Sequence, residues 1–177
     1  KKKSEDLKKL HKEFFGTSQK TRKDELKRNI ETLEWELIET TLREQNNTSA
    51  LKQLDQYKKS NIKPFFLWRL HFSVVFQEKE GFDIVIANPP YISYGLRGGQ
   101  KITTQEKEIL RKTFPNSAEY KISMYALFMD KAIRLARSNG GIQTFIVPDS
   151  FLLGRYFSKI RAFILENNKI DNILLLP

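Results

Sequence analysis

The chain has 177 residues, of which 40% are hydrophobic and 29% charged, with a formal net charge of +10. This length and apolar fraction suffice for a globular domain with a buried core. No stretch reaches the roughly 20 apolar residues that a membrane-spanning helix needs, and the lack of cysteine excludes disulfides and thiolate metal sites. The basic charge favours a nucleic-acid partner only weakly, because it is spread along the chain and forms no single stripe.

The two histidines, His11 and His71, lie far apart in the sequence and have no ligand spacing around them. We therefore expect ordinary structural or surface side chains and no metal site. The N-terminal segment has no apolar run behind it, so no signal peptide is expected. A chain without cysteine fits a reducing cytoplasm.

Residues 1–63 are predicted to form a helical arm. Apolar side chains recur every three or four residues along a helix over about 22–45, at Leu26, Ile30, Leu33, Leu37 and Ile38. Thr21 and Asp24 resemble a capping box at its start. Shorter helices are predicted over 6–15, ending at Gly16, and over 50–59, which together form an antiparallel helical hairpin. The arm is interpreted as a packing element or spacer, with DNA contact as the alternative.

Residues 64–177 alternate strand-like and helix-like patterns. Strands that are buried on both faces are predicted over 82–87, 142–147 and 170–176. Helices are predicted from Thr103, with a Thr103–Glu106 capping box, toward Lys112; from Asn116, through a face formed by Tyr125, Phe128, Ala132 and Leu135; and over 154–167. A mobile Gly-rich loop is expected over 92–102. This alternation predicts an α/β fold with a parallel sheet, whose ligands bind beyond the carboxyl ends of the strands.

The segment Asn88-Pro89-Pro90-Tyr91 lies at such a carboxyl end. Two acceptors, the Asn88 side-chain oxygen and the Pro89 carbonyl, suit the two N–H bonds of a delocalised exocyclic amine and would localise its lone pair on nitrogen. The two prolines restrict the backbone that presents them. Tyr91 offers a flat face for stacking a base that has left its helix. A tight turn after a strand is the structural alternative.

Residues 81–92, Gly-Phe-Asp-Ile-Val-Ile-Ala-Asn-Pro-Pro-Tyr-Ile, resemble the catalytic motif of N6-adenine DNA methyltransferases. Residues 123–132 and 140–152 are similar to the helix and strand that follow it, and residues 63–72 are similar to the lead-in of type IIG restriction–modification enzymes of the Eco57I-like class and their phage-defence relatives. The resemblance implies part of a Rossmann-like class I methyltransferase sheet with a helical N-terminal arm, in a bacterial cytoplasmic enzyme.

By position, the resemblance implies catalytic roles for Asn88, Pro89, Pro90 and Tyr91, with Asn88 and Pro90 forming part of the cofactor site. It implies S-adenosylmethionine as methyl donor, and double-stranded DNA with a flipped adenine as substrate. No strand–glycine–helix pattern for the cofactor precedes Asn88, and Gly98-Gly99 lies after it. We therefore expect the rest of the same polypeptide to supply the cofactor-binding half and a recognition domain. The chain alone is expected neither to bind S-adenosylmethionine tightly nor to methylate DNA.

Other substrates share this chemistry. The same tetrapeptide serves enzymes that methylate a protein glutamine or a guanine amine of ribosomal RNA, and cytosine N4 is a closer rival. A helical interaction fragment without activity is the non-enzymatic alternative. Phosphate contacts are predicted around the Gly-rich loop, at Arg97, Lys101, Arg111 and Lys112.

Overall fold

A computed structural model describes residues 2–60, 63, 65–94, 101–119 and 121–176. They form two compact units, Lys1–Glu78 and Lys79–Pro177. The division drawn from the sequence, between residues 63 and 64, lies upstream of this boundary, and its assignment to functional domains stays a prediction. None of the helices in the described part of the chain is long and apolar enough to cross a membrane.

The first unit is entirely helical where it is described. Its helices are α1 (Lys2–Gly16), α2 (Lys20–Glu44), α3 (Thr48–Ser60), α4 (Trp68–His71) and α5 (Ser73–Glu78). Ion pairs between α1 and α2 match the antiparallel order that was predicted, since Lys3 pairs with Glu36 and Arg22 with Glu13. Lys58 pairs with Glu39 across α2 and α3.

The predicted apolar stripe of α2 is confirmed at its buried centre, because Leu26 and Ile30 are buried. The predicted capping box at Thr21 is wrong. Helix α2 begins at Lys20, after Gln19, and no side chain caps it. Thr21 therefore lies inside the first turn, where its hydroxyl cannot act as the N-cap acceptor.

The second unit contains short strands and helices. The strands are β1 (Ile84–Ala87), β2 (Ser93–Tyr94), β3 (Ile122–Ser123) and β4 (Ile142–Phe145). The helices are α6 (Thr104–Thr113), α7 (Met124–Leu135), α8 (Ser150–Leu153) and α9 (Ser158–Asn167), with a 3₁₀ turn at Arg155–Phe157 before α9. Strands β1 and β4 pair in parallel from Ile84–Ile142 to Ala87–Phe145. Strands β2 and β3 pair antiparallel. Strand β2 lies in the segment predicted to be a loop, and β3 lies in the segment predicted to be helical from Asn116.

The α/β class and the parallel pairing of the first two predicted strands are confirmed. Burial of β1 on both faces is wrong for this structure, because Ile84 and Ile86 are 57% and 76% exposed. The predicted strand over 170–176 is also wrong, since these residues have no strand partner in the described part of the chain. Only one face of the β1–β4 sheet is therefore covered. A β-branched apolar run is not sufficient to predict a strand, because it does not show whether a neighbouring strand is present to pair with it.

The predicted start of the long helix at Asn116 is wrong. Helix α7 begins at Met124, and Glu119 instead accepts a hydrogen bond of 2.7 Å from the backbone N–H of Lys159, in the first turn of α9. Phe128, one of the four residues predicted to share a face of this helix, is 43% exposed. The apolar core of this unit packs around Tyr125, Ala126, Phe151, Phe157 and Ile160.

Gly81 lets β1 pack directly on the end of α7. A Cβ at Gly81 would lie 2.6 Å from the carbonyl carbon of Ala136 and 2.6 Å from the nitrogen of Arg137. The backbone of Phe82 also bonds to Leu135 and Arg137 at this crossing. Only a residue without a side chain permits so close an approach.

Candidate functional site

Asn88–Tyr91 follow directly after β1, at the carboxyl edge of the parallel pair. The ladder ends with the Ile146 N–H donating to the Ala87 carbonyl at 3.2 Å. Parallel strands end at the same edge, so the loops after β1 and β4 lie side by side. The position predicted for the motif, at a strand's carboxyl end, is confirmed.

The hydroxyl of Tyr91 links these two loops. It lies 3.2 Å from the Oδ1 of Asn88 and 3.2 Å from the carbonyl oxygen of Ile146. One hydroxyl hydrogen serves one acceptor at a time, so these two oxygens compete for it. The structure thus brings Asn88 and Tyr91 together, as the motif predicts, and adds the end of β4 as a third participant.

The residues of the motif differ in accessibility. Asn88 and Pro90 are exposed, whereas Pro89 is buried between them. The Tyr91 side chain is 52% exposed, so much of its ring is open to solvent. A buried proline anchors the loop while its neighbours stay accessible, and neither proline has an N–H group that would compete for a nearby acceptor.

The loop after the motif is held in place by α7. The Met124 N–H donates to the Ile92 carbonyl at 2.9 Å, and Ser93 and Tyr94 then pair with Ser123 and Ile122. The chain that leaves the motif is therefore fixed to the start of this helix. Backbone hydrogen bonds of this kind limit movement of the motif away from the sheet edge.

The ring of Tyr125 packs against the ring of Tyr91 from the core of the unit. Their rings meet edge to face, with centroids 6.3 Å apart and planes at 87°, an arrangement favoured by aromatic quadrupoles. Tyr125 is buried in the core of the unit, and this burial raises the pKa of its phenol. The sequence indicated Tyr125 only as one position on an apolar helix face, and no signal in it predicted contact with the motif, 34 residues earlier in the chain.

Of the four residues predicted to contact phosphate, three lie within the described part of the chain and one lies outside it. Lys101, Arg111 and Lys112 are exposed, and within the described ranges none of them forms an ion pair or a hydrogen bond to Asn88 or Tyr91. Arg111 and Lys112 lie in the last turn of α6, where basic side chains also favour the helix end. Arg97 and most of the Gly-rich loop lie outside the described residues.

Comparison with known proteins identifies the family. Residues 2–176 match the family described as Eco57I restriction-modification methylase. The chain belongs to this family. The resemblance read from the motif and its flanks is thereby confirmed at the level of type II restriction–modification methylases.

Individual curated proteins are also similar to the chain. A putative type II restriction enzyme and methyltransferase from Methanocaldococcus jannaschii is 30% identical over 125 residues, which cover 71% of this chain and 9% of that protein. A type II methyltransferase from Thermus thermophilus is 29% identical over 109 residues, covering 60% of this chain and 23% of its own length. A type II methyltransferase from Bacillus subtilis is 30% identical over 103 residues, which cover 58% of this chain and 18% of that protein.

The chain thus spans less than a quarter of each of these curated relatives. No solved structure matches it significantly. The family assignment comes from the sequence match, and the arrangement of the motif comes from the structure.

Proposed function

We propose that this chain is the catalytic-loop portion of a DNA methyltransferase that transfers a methyl group to adenine N6 within a restriction–modification enzyme. One observation carries the proposal. The exposed Asn88 amide oxygen lies 3.2 Å from the hydroxyl of the half-exposed Tyr91, at the carboxyl edge of a parallel strand pair. Membership of a restriction–modification methylase family supports DNA as the substrate.

Asn88 and Pro89 would orient the adenine amine. The Asn88 Oδ1 and the Pro89 carbonyl accept its two N–H bonds, which draws the lone pair out of the ring and onto nitrogen. Asn88 and Pro89 would thereby hold the nitrogen lone pair in position to accept a methyl group from a bound donor. After accepting the methyl group, the amine would pass one proton to water. No base has to remove a proton before attack.

Tyr91 would hold the adenine once it has left the DNA duplex. Extruding a base costs a few kcal/mol, and aromatic stacking returns about 1–3 kcal/mol per base. The edge-to-face contact with buried Tyr125 fixes the plane of the Tyr91 ring. A fixed ring loses little side-chain freedom when the base stacks on it.

S-adenosylmethionine, when bound, supplies the methyl group on a positively charged sulfur. The fit of this chain to it is partial. Asn88 and Pro90 are exposed beside the reacting position and suit the methyl-bearing end. We assign the remaining contacts, and the recognition of a DNA sequence, to other parts of the same polypeptide. The parallel strand pair with helices in its crossover supports a Rossmann-like class I methyltransferase sheet completed by those parts.

Lys101, Arg111 and Lys112, together with Arg97, are proposed to contact DNA phosphates near the motif. Arg111→Ala is expected to weaken DNA binding about equally for all sequences and to reduce the salt dependence by about one charge. Lys169→Ala is a matched control, because Lys169 is exposed and paired with Asp171. An unchanged salt slope in the Arg111 variant would remove this residue from the interface.

The substrate class is tested with the full-length polypeptide that contains this chain. It is incubated with methyl-labelled S-adenosylmethionine and, separately, unmethylated DNA, ribosomal RNA and protein. The products are hydrolysed and the labelled nucleoside or amino acid is identified. The proposal expects N6-methyldeoxyadenosine from DNA. Label in N4-methylcytosine, guanine or glutamine would preserve the chemistry and overturn the substrate.

A further inference from the structure

Three side chains from three helices of the first unit converge on one point. His11 of α1, Glu34 of α2 and His71 of α4 each offer a ligand atom, and these atoms lie within 4.8 Å of one another. The two imidazole rings meet at 4.7 Å between centroids. His11 and Glu34 are each only 2% exposed, so the cluster lies inside the helical unit.

His11 has the hydrogen bonding of a metal ligand. Its Nδ1 bonds to the backbone carbonyl of His71, and a carbonyl only accepts, so Nδ1 carries the hydrogen and Nε2 presents a lone pair. Nε2 is buried without a hydrogen-bond partner in the described part of the chain. Metal-binding histidines are held in this way, by a carbonyl on the nitrogen that does not bind the metal.

Glu34 already attracts positive charge. One of its oxygens lies 2.8 Å from the Nδ1 of His71, and the other accepts a hydrogen bond from Lys63. A carboxylate this deeply buried needs a cationic partner. The Lys63 side chain is 23% exposed and flexible, so its ammonium group can move toward solvent if another cation takes its place.

We propose that His11, Glu34 and His71 form a binding site for one divalent transition-metal ion of the zinc class. Two imidazoles and one carboxylate are ligands that zinc and its neighbours accept. Magnesium and calcium prefer oxygen ligands throughout and do not fit this set. The ion would link α1, α2 and α4, and it would compete with Lys63 for Glu34.

The test is calorimetric titration of the chelator-treated chain with zinc chloride, followed by visible absorption of the cobalt-loaded form. We expect one zinc per chain and a cobalt spectrum typical of low coordination number with nitrogen ligands. Magnesium chloride is expected to give no binding. Zinc affinity is expected to fall at least about 10-fold in Glu34→Gln and His11→Ala, and to be unchanged in Glu36→Gln, an exposed carboxylate on the same helix.

Lys63→Met separates a metal site from a purely structural network. If zinc and Lys63 compete, removing the ammonium raises zinc affinity, and this variant keeps all three ligands even if His11→Ala fails to fold. Absence of zinc binding in both the unsubstituted chain and Lys63→Met would overturn the proposal. Equal zinc affinity in folded Glu34→Gln and Glu36→Gln would also overturn it.

Discussion

At the scale of single residues, the Tyr91 hydroxyl lies between two acceptors. It can donate to the Asn88 Oδ1 or to the Ile146 carbonyl, both at 3.2 Å. The Asn88 oxygen is the atom that the proposed mechanism assigns to the adenine amine. Turning the hydroxyl toward Ile146 frees that oxygen without moving the ring. The ring, and not the hydroxyl, is therefore the part of Tyr91 that the mechanism needs.

Tyr91→Phe and Tyr91→Ala are expected to differ. Phenylalanine keeps the stacking face, so methylation is expected to stay within a few-fold of the unsubstituted enzyme. Alanine loses about 1–3 kcal/mol of stacking and is expected to lower the methylation rate roughly 5–150-fold. Steady-state kinetics of the full-length polypeptide on DNA measure both. Equal loss in the two variants would instead give the hydroxyl the essential role.

Replacing Gly81 is predicted to reduce the stability of the second unit. A methyl group there would meet the backbone of Ala136 and Arg137 at 2.6 Å, and backbone cannot move aside as a flexible side chain does. Gly81→Ala is expected to lower the free energy of unfolding by about 1–3 kcal/mol, measured by urea denaturation. Gly16→Ala is the control, because nothing lies within 4 Å of that position, and it is expected to be close to neutral. A neutral Gly81→Ala would contradict the packing described for β1.

The proximity of Asn88 and Tyr91 could be predicted from the sequence, because the two residues are only three positions apart and follow one strand. The roles of Ile146 and Tyr125 were not, since their contacts with Tyr91 cross 55 and 34 positions of chain. The convergence of His11 and His71 was missed for the same reason, with 60 positions between them.

At the scale of elements, prediction succeeded where the determining contacts are local. The Thr103–Glu106 capping box is present, with the Glu106 N–H donating to Thr103 Oγ1 at 3.1 Å and the Thr103 N–H donating to Glu106 at 2.7 Å. The similar pattern at Asn116 and Glu119 failed because Glu119 caps α9 instead, 40 residues further along. The sequence pattern identifies a side chain that can accept a hydrogen bond from the first turn of a helix, but tertiary packing decides which helix that side chain caps.

The contact between α2 and α3 is predicted to make the stability of the helical unit depend on pH. Hydrogen bonds from Lys58 and then Arg43 lower the pKa of Glu39 from 4.5 to about 2. Because the folded pKa is depressed, this contribution to stability is complete above about pH 4.5 and is lost as the pH falls toward 2. Glu39→Gln is expected to lower the Tm slightly at neutral pH and to weaken its dependence on pH in that window.

Thermal melts of the helical unit's signal between pH 7 and pH 2 measure this effect. Glu31→Gln is the matched control, because Glu31 is exposed on the same helix and has no ion pair in the described part of the chain. Identical pH profiles for the two variants would show that the Glu39 pair contributes nothing. The effect is expected to shrink in high salt, because both partners are partly exposed.

At the scale of the whole molecule, the chain combines a helical unit with a two-stranded parallel sheet that exposes apolar side chains. Residues 170–176, predicted as a strand, are exposed at Ile173 and Leu174 to 60% and 82%. The apolar pattern of this segment is typical of a strand in a buried sheet. A strand forms only where a neighbouring strand supplies its hydrogen-bond partners, and the pattern does not report that neighbour.

The isolated chain is expected to bind S-adenosylmethionine weakly. Asn88 and Pro90 suit one end of the cofactor, and affinity for a molecule of that size requires contacts along most of its surface. Calorimetry of the isolated chain with S-adenosylmethionine measures this. Micromolar affinity would contradict the assignment of the main cofactor contacts to other parts of the polypeptide.

The proposed adenine methylation is tested most directly by the yield of N6-methyldeoxyadenosine from unmethylated DNA treated with the full-length polypeptide and with its Asn88→Ala variant. Asn172→Ala serves as the control, because Asn172 is exposed and far from the motif in sequence. We expect the modified adenine with the unsubstituted enzyme and with Asn172→Ala, and a loss of roughly 100-fold or more with Asn88→Ala. Unchanged methylation by a folded Asn88→Ala variant would contradict it.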